Sequence, residues 1–273
     1  MKLSLQDNIK MYRKIQEMTS PNTINKKYYE DQNILGVKVR IFNKMAQKLL
    51  IYIHGGGWVA GSLNTHSNIC FHLAKELDRK VVSIDYSLAP ENKFPVAIYE
   101  IQKVARELFK SYNNMDIMGD SAGANLAFAV ATSAKDLKFN KIIMVYPATQ
   151  TDYTIKTKYK SVITNSGKSM LAKESLRDYL KMYLRSDRDY KDKRVNLLRN
   201  YWLFGLPEVL IVTGSLDPLH DEGVALKDKL QRYFVKTKHL DLNGATHGFL
   251  TNPLDHKYTL ATLNFIKECE RNE

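Results

Sequence analysis

Three residues of this chain have the types and order to form a nucleophilic relay: a serine between glycines, then an aspartate, then a histidine. Ser121 lies in Gly119-Asp120-Ser121-Ala122-Gly123. The apolar run 115–118 precedes it and the Ala-rich segment 122–134 follows, so the serine stands at a strand-to-helix turn, the nucleophile-elbow pattern. Glycines two places to either side have a steric reason to be there, because a Cβ would collide with backbone in so sharp a turn. The N-terminus of the following helix directs free N–H groups to where negative charge would develop. Alone, these five residues also fit an ordinary Gly/Ser turn, and the rest of the chain must decide.

A serine hydroxyl is a weak nucleophile unless a base takes its proton and a third group orients that base. After an elbow, the acid and then the histidine are expected in later loops at the C-terminal edge of the sheet. Asp217 follows the apolar run 209–213, and His247 follows the run 238–242 in Gly244-Ala245-Thr246-His247-Gly248-Phe249. Asp221 competes with Asp217, which also fits a plain Asp-Pro turn, and Asp221 and Glu222 also fit helix capping. Asp217 is preferred because it falls closer to the strand end. His220 and His256 compete with His247, but only His247 follows the final strand in a Gly-flanked loop.

An oxyanion also needs donors. One is expected from the backbone N–H of Ala122, the others from His54-Gly55-Gly56-Gly57-Trp58, whose glycines let backbone approach a substrate oxygen. No Lys-Ser/Thr pair follows this loop and no G-x-G-x-x-G occurs, which argues against phosphate or dinucleotide binding and against any cofactor.

The elements that must position these residues alternate. Strands are read at 34–42, 48–53, 81–84, 115–118, 141–146, 209–213 and 238–242. Helices are read at 64–77, 96–109, 122–134, 222–234 and 256–267. Repeated strand-then-helix order predicts an α/β fold with a mostly parallel twisted sheet and helices on both faces. The amphipathic stretch around Ile9, Arg13, Ile15 and Met18 predicts a short N-terminal helix, ended by Pro21-Asn22. Residues 151–201 break the alternation, carry one clear helix at 173–185, and are expected to form a lid or cap.

The 273 residues suffice for a large core, and 44% hydrophobic content is ordinary for a globular enzyme. The start of the chain has no apolar h-region, so no signal peptide is expected, and no apolar run suggests stable membrane insertion. Cys70 and Cys269 match no metal spacing and are expected to be free buried thiols in a cytoplasmic protein. The net charge of +12 is uneven: residues 1–50 carry +6 and 151–200 carry +7. Such segments attract anions or a membrane surface, or form a solvated lysine face, the reading preferred here. No nucleic-acid motif appears, so no nucleic-acid partner is expected.

His54-Gly-Gly-Gly-Trp58, Asp85-Tyr86 with Leu88-Ala89-Pro90-Glu91, the elbow, Asp217-Pro-Leu-His-Asp-Glu-Gly223 and His247-Gly-Phe249 lie in register over residues 48–249. Together they resemble the hormone-sensitive-lipase-like esterases, cytoplasmic bacterial members of the α/β-hydrolase fold. The resemblance implies Ser121, Asp217 and His247 as triad, with Gly55, Gly56 and Ala122 as oxyanion hole. It also implies that residues 1–33 and 151–201 cap a core formed by 34–150 and 202–273. Trp58 and Asp120 are assigned to the pocket, and Met170, Leu171, Tyr179 and Tyr183 of the cap are expected to line it. Two positions depart from the family pattern: Ala124 where a further glycine is usual, and Ser87 where an arginine is usual, which would remove an ion pair.

The expected activity is a carboxylesterase acting on small, short-chain esters without cofactor or metal. Two alternatives stay open. The glycine loop also resembles that of arylformamidases, and plant gibberellin receptors show a non-catalytic, ligand-binding version that lacks the histidine. Dimerisation by the C-terminal strand and helix occurs in similar proteins, which leaves a homodimer as an open expectation.

Overall fold

A computed structural model describes residues 5–168 and 171–271. Eight strands form one sheet: β1 (Tyr29–Ile34), β2 (Val37–Phe42), β3 (Leu49–Ile53), β4 (Lys80–Asp85), β5 (Met115–Asp120), β6 (Lys141–Val145), β7 (Glu208–Gly214) and β8 (Thr237–Leu242). Their order is β1-β2-β4-β3-β5-β6-β7-β8. From β4 to β8 every neighbouring pair is parallel, while β1 and β2 join one edge antiparallel. The mostly parallel α/β architecture expected from strand–helix alternation is therefore present.

One element differs. Residues 34–42 read as a single strand, but the chain turns at Leu35-Gly36, both with positive φ, and Tyr29–Ile34 forms a separate edge strand. The core thus begins before residue 34, and residues 29–33 belong to the sheet. The hidden strand carries no apolar alternation because four of its six residues are exposed.

Period-two alternation sends successive residues of each central strand to opposite faces. Leu49, Ile51 and Ile53 pack with α3 (Val96–Phe109), α4 (Ala122–Ser133) and α7 (His220–Arg232). Leu50 and Tyr52 pack with α2 (Ser67–Glu76) and α8 (His256–Arg271). Nine of the twelve residues of α4 are buried, as befits a helix that is apolar all round. Cys70 and Cys269 are free and buried. Among the described residues, no helix is long and apolar enough to cross a membrane.

The N-terminal helix α1 (Leu5–Thr19) lies across the C-terminal edge of the sheet, fastened mainly by one arginine. Arg13 donates to the carbonyls of Val59 (2.6 Å) and Ala89 (2.9 Å) and pairs through two nitrogens with Glu91 (both 2.8 Å). Ser62 donates to Glu17 at 2.5 Å. The helix reaches across to α6 (Lys173–Tyr183), where Tyr12 stacks on Tyr179 with centroids 5.4 Å apart.

The stretch between β6 and β7 is anchored from below by Glu222, a fully buried carboxyl on α7. It accepts from the Thr149 N–H (2.6 Å), Gln150 Nε2 (2.9 Å) and the Tyr153 hydroxyl (3.2 Å). Burial raises its pKa to about 8, outweighing these donors. A short helix, α5 (Ser161–Thr164), docks on the loop after β7: Ser161 Oγ donates to the Pro218 carbonyl, and Asn165 Nδ2 to those of Ser215 and Asp217.

Two outcomes test these anchors. Arg13→Ala is expected to lower the unfolding free energy by ~1–2 kcal/mol and speed proteolysis within α1, read by denaturant titration and limited digestion. Unchanged digestion would show that packing alone holds the helix. For Glu222, the folded pKa exceeds the unfolded one, so its contribution is complete below about pH 4.5 and lost as pH rises through about 8. Glu222→Gln should flatten the fall in stability between those limits, measured by thermal unfolding against pH.

Candidate active site

The elbow forms because backbone meets backbone with no room to spare. A Cβ on Gly119 would lie 2.4 Å from the Gly123 carbonyl carbon and oxygen, and one on Gly123 would lie 2.1 Å from the Ile53 carbonyl oxygen. With both positions bare, the turn from β5 into α4 slides under the end of β3. Ser121 is forced to φ 55° and ψ −121°, a strained conformation for a residue with a side chain. Its N–H donates to the Val145 carbonyl at 2.9 Å, which pins the strain in place. Ala124, where the family pattern has glycine, is fully buried without needing that freedom.

Asp217 and His247 emerge from the loops after β7 and β8. His247 Nδ1 lies 2.7 Å from Asp217 Oδ2, and His247 Nε2 lies 2.9 Å from Ser121 Oγ. Asp217 is fully buried, and its other oxygen accepts the Leu219 N–H at 2.7 Å. The competing pair is committed elsewhere: His220 bridges Asp221 (3.0 Å) and Asp241 (3.1 Å), while Asp221 also accepts the Ser161 N–H. His256 opens α8.

The Gly55 N–H donates to Asp120 Oδ1 at 2.9 Å and is therefore paired within the protein. Gly56, Gly57 and Ala122 line the cavity that contains Ser121. Asp120 is 4% exposed and ties the loop to the sheet, taking the Tyr52 hydroxyl at 2.8 Å and lying 3.4 Å from His66 Nε2. Burial pushes its carboxyl up, but His66 and Tyr52 outweigh that and hold it below the usual range. Asp120 also reaches the cavity wall, so it is both tether and lining.

His54 is equally enclosed. Its ring stacks on Tyr86, whose hydroxyl donates to the His54 carbonyl at 2.9 Å, and burial followed by the charge of His66 lowers its pKa to about 3. The Asp85-Tyr86 motif thus braces the glycine loop. Ser87, where the family has arginine, donates its N–H and hydroxyl to Glu100, both at 2.7 Å.

The cavity encloses about 320 Å³. Trp58, Leu171, Leu176 and Ala148 give it an apolar side; Gln16, Thr19, Ser20 and Asn252 give it a polar one. Trp58 is held at φ 62° and stacks on Tyr183 at 4.9 Å, 6° from parallel. Tyr183 therefore backs the wall instead of lining it, a correction to the expected set. Leu171 and Tyr179 do line it, and Met170 lies outside the described residues. Tyr12 and Gln16, which the sequence left unassigned, also reach the cavity, as does Gly57, whereas Gly55 does not line it. A sequence signal for Gly57 existed in the third glycine of the loop. For Tyr12 and Gln16 there was only their spacing of one helical turn.

Residues 50–251 match a family model described as the alpha/beta hydrolase fold. An arylesterase of Saccharolobus solfataricus is 32% identical over 229 residues, covering 79% of this chain and 73% of that protein. The carboxylic ester hydrolase LipN of Mycobacterium tuberculosis is 32% identical over 225 residues; the match takes in 75% of this chain and 58% of LipN. A hyperthermophilic esterase from Pyrobaculum calidifontis superposes with TM-score 0.84 at 26% identity, over 98% of this chain and 94% of that one. On the family match over residues 50–251 and the likeness to these esterases, this chain belongs to the hormone-sensitive-lipase-like family of the α/β-hydrolase fold.

Proposed function

We propose that this protein is a serine carboxylesterase that cleaves short-chain esters through an acyl-enzyme. The observation that carries the reading is the continuous hydrogen-bonded line Asp217–His247–Ser121, with contacts of 2.7 and 2.9 Å. Ser121 Oγ attacks the ester carbonyl as His247 Nε2 takes its proton, and Asp217 keeps Nδ1 protonated and the ring aligned. The N–H groups of Gly56, Gly57 and Ala122 receive the oxyanion, each such donor being worth about 3 kcal/mol of barrier. His247 returns the proton to the departing alcohol, and water repeats the cycle on the acyl-enzyme. Esterase relatives such as the S. solfataricus and P. calidifontis proteins support the substrate class.

The second half of the reading is the cap. α1 and α6 close over Ser121 and leave about 320 Å³, at the low end of ligand pockets, to be shared by acyl and alcohol groups. Short acyl chains fit that space. Its polar wall suits a small alcohol portion.

Ser121→Ala is expected to abolish hydrolysis of p-nitrophenyl acetate while leaving the circular dichroism unchanged; residual turnover near the parent rate would sink the assignment. Asp217→Asn should lower kcat by about 10⁴ through loss of the correct histidine tautomer. Across an acyl series, kcat/KM should peak among the shortest acyl chains and fall for long ones. Faster cleavage of an aryl formamide than of the acetate would instead favour amide chemistry.

A further inference from the structure

A second cavity of about 320 Å³ lies between α7, the loop before β7 and the stretch ahead of α5. Lys158, Lys229 and Arg232 line it together with Tyr159, Tyr201 and Tyr233, and no carboxylate contributes to its wall. Each cation rests against a neutral group. Lys229 Nζ donates to the Leu198 carbonyl (2.7 Å) and sits 4.1 Å from the Tyr201 ring centroid. Arg232 Nε donates to the Asp228 carbonyl (3.3 Å), and Lys158 Nζ lies 5.2 Å from the Tyr159 ring centroid. Among the described residues none of the three makes an ion pair. A merely solvated lysine face would extend Lys229 into water, yet this residue is 8% exposed. Burial, then the charge of Arg232, pulls its pKa down.

Beside these cations the surface is aromatic and bare. Tyr201, Trp202 and Phe204 are 66%, 78% and 71% exposed, and Phe234 is 92% exposed. The Phe204 ring packs against Tyr233 of the cavity wall, centroids 5.5 Å apart, and Phe234 is the next residue in the chain. The cation cluster and the exposed rings therefore form one patch. Exposed Trp and Phe next to cations suit one environment above others, the headgroup zone of an anionic bilayer. There rings lie at the apolar boundary while lysine and arginine meet phosphate. Neither signal holds a protein to a bilayer well by itself, and here the two coincide.

We propose that this patch is a docking surface for anionic membrane lipid, with a lipid phosphate between Lys158, Lys229 and Arg232 and the rings of Trp202, Phe204 and Phe234 in the interface. Charge complementarity favours lipid over a second copy of the chain. In a two-fold contact this patch would meet itself, setting its unpaired cations against their own copies in a chain of net charge +12. The topology also makes docking compatible with catalysis. Trp202 and Phe204 precede the first residue of β7 and Phe234 precedes β8, whereas Asp217 and His247 follow the far ends of those strands. The seven residues of β7 place these rings about 20 Å from the loop that carries Asp217.

The test is co-sedimentation of the full chain with vesicles of phosphatidylcholine alone or with about one-third phosphatidylglycerol, at low and high salt. Binding to the anionic vesicles is expected to exceed binding to the neutral ones by about tenfold or more at low salt, and to fall at high salt. The triple variant Trp202→Ser, Phe204→Ser, Phe234→Ser changes only exposed side chains and should lose about tenfold in binding, with p-nitrophenyl acetate turnover in solution unchanged. Lys229→Gln with Arg232→Gln should abolish the preference for the anionic vesicle. Equal binding to both vesicles, or to neither, overturns the proposal. Two further results overturn it in favour of other occupants. One is a dimer by analytical ultracentrifugation that the triple variant loses, without vesicle binding. The other is saturable binding of inorganic phosphate without vesicle binding.

Discussion

A carboxylate only 4% exposed sits directly before Ser121. Burying Asp120 costs several kcal/mol unless donors surround it, and the protein supplies them from four directions. Tyr52 comes from the middle of β3, Gly55 from the glycine loop, His66 from the start of α2, and Tyr146, at 3.5 Å, from the end of β6. Each of these lies on a different segment, so one charge sets the spacing between the elbow and the loop that faces it. The same demand explains the glycine at 55: a Cβ there would lie 2.3 Å from Asp120 Oδ2. The geometry around Ser121 is thus an outcome of satisfying its neighbour.

Close backbone approach completes the arrangement. The elbow passes under the end of β3, and the glycine loop folds back on itself, so that a Cβ at Gly61 would meet the Gly55 carbonyl oxygen at 2.2 Å and His54 Nδ1 at 2.4 Å. His54 is then walled in by Tyr86 and His66. The residues most diagnostic in the sequence are accordingly those with least spatial freedom, and the chemistry is only one of the reasons for their identity. The stretch between β6 and β7 contributes in a less visible way. Ser161 and Asn165 clip the loop that carries Asp217, so the same segment that helps enclose the cavity also steadies the carboxylate hydrogen-bonded to His247.

The strand–helix alternation and the elbow were legible because buried strands are continuously apolar and because Gly-x-Ser-x-Gly has a steric cause. What escaped the sequence has physical reasons as well. Tyr29–Ile34 is an edge strand exposed on both faces, so no burial constrains its side chains into a pattern. Gly55, Gly56 and Gly57 are chemically identical, and only the position of the Asp120 carboxylate tells which amide is already taken. Glu222 reads as a helix-cap residue because acids favour first turns; its burial beneath Thr149 and Tyr153 depends on contacts some seventy residues away. Tyr179 and Tyr183 stand one helical turn apart on α6, yet one lines the cavity and the other lies behind Trp58.

That last arrangement separates the shape of the cavity wall from the Asp217–His247–Ser121 line within the architecture. The apolar wall of the pocket is the indole of Trp58, a residue of the glycine loop, but the surface it leans on belongs to α6. The depth of the cavity on this side is therefore set from a helix outside the loops that carry Ser121, Asp217 and His247. A sequence drifting at residue 183 would tilt the indole and resize the pocket while every motif around Ser121 stayed intact.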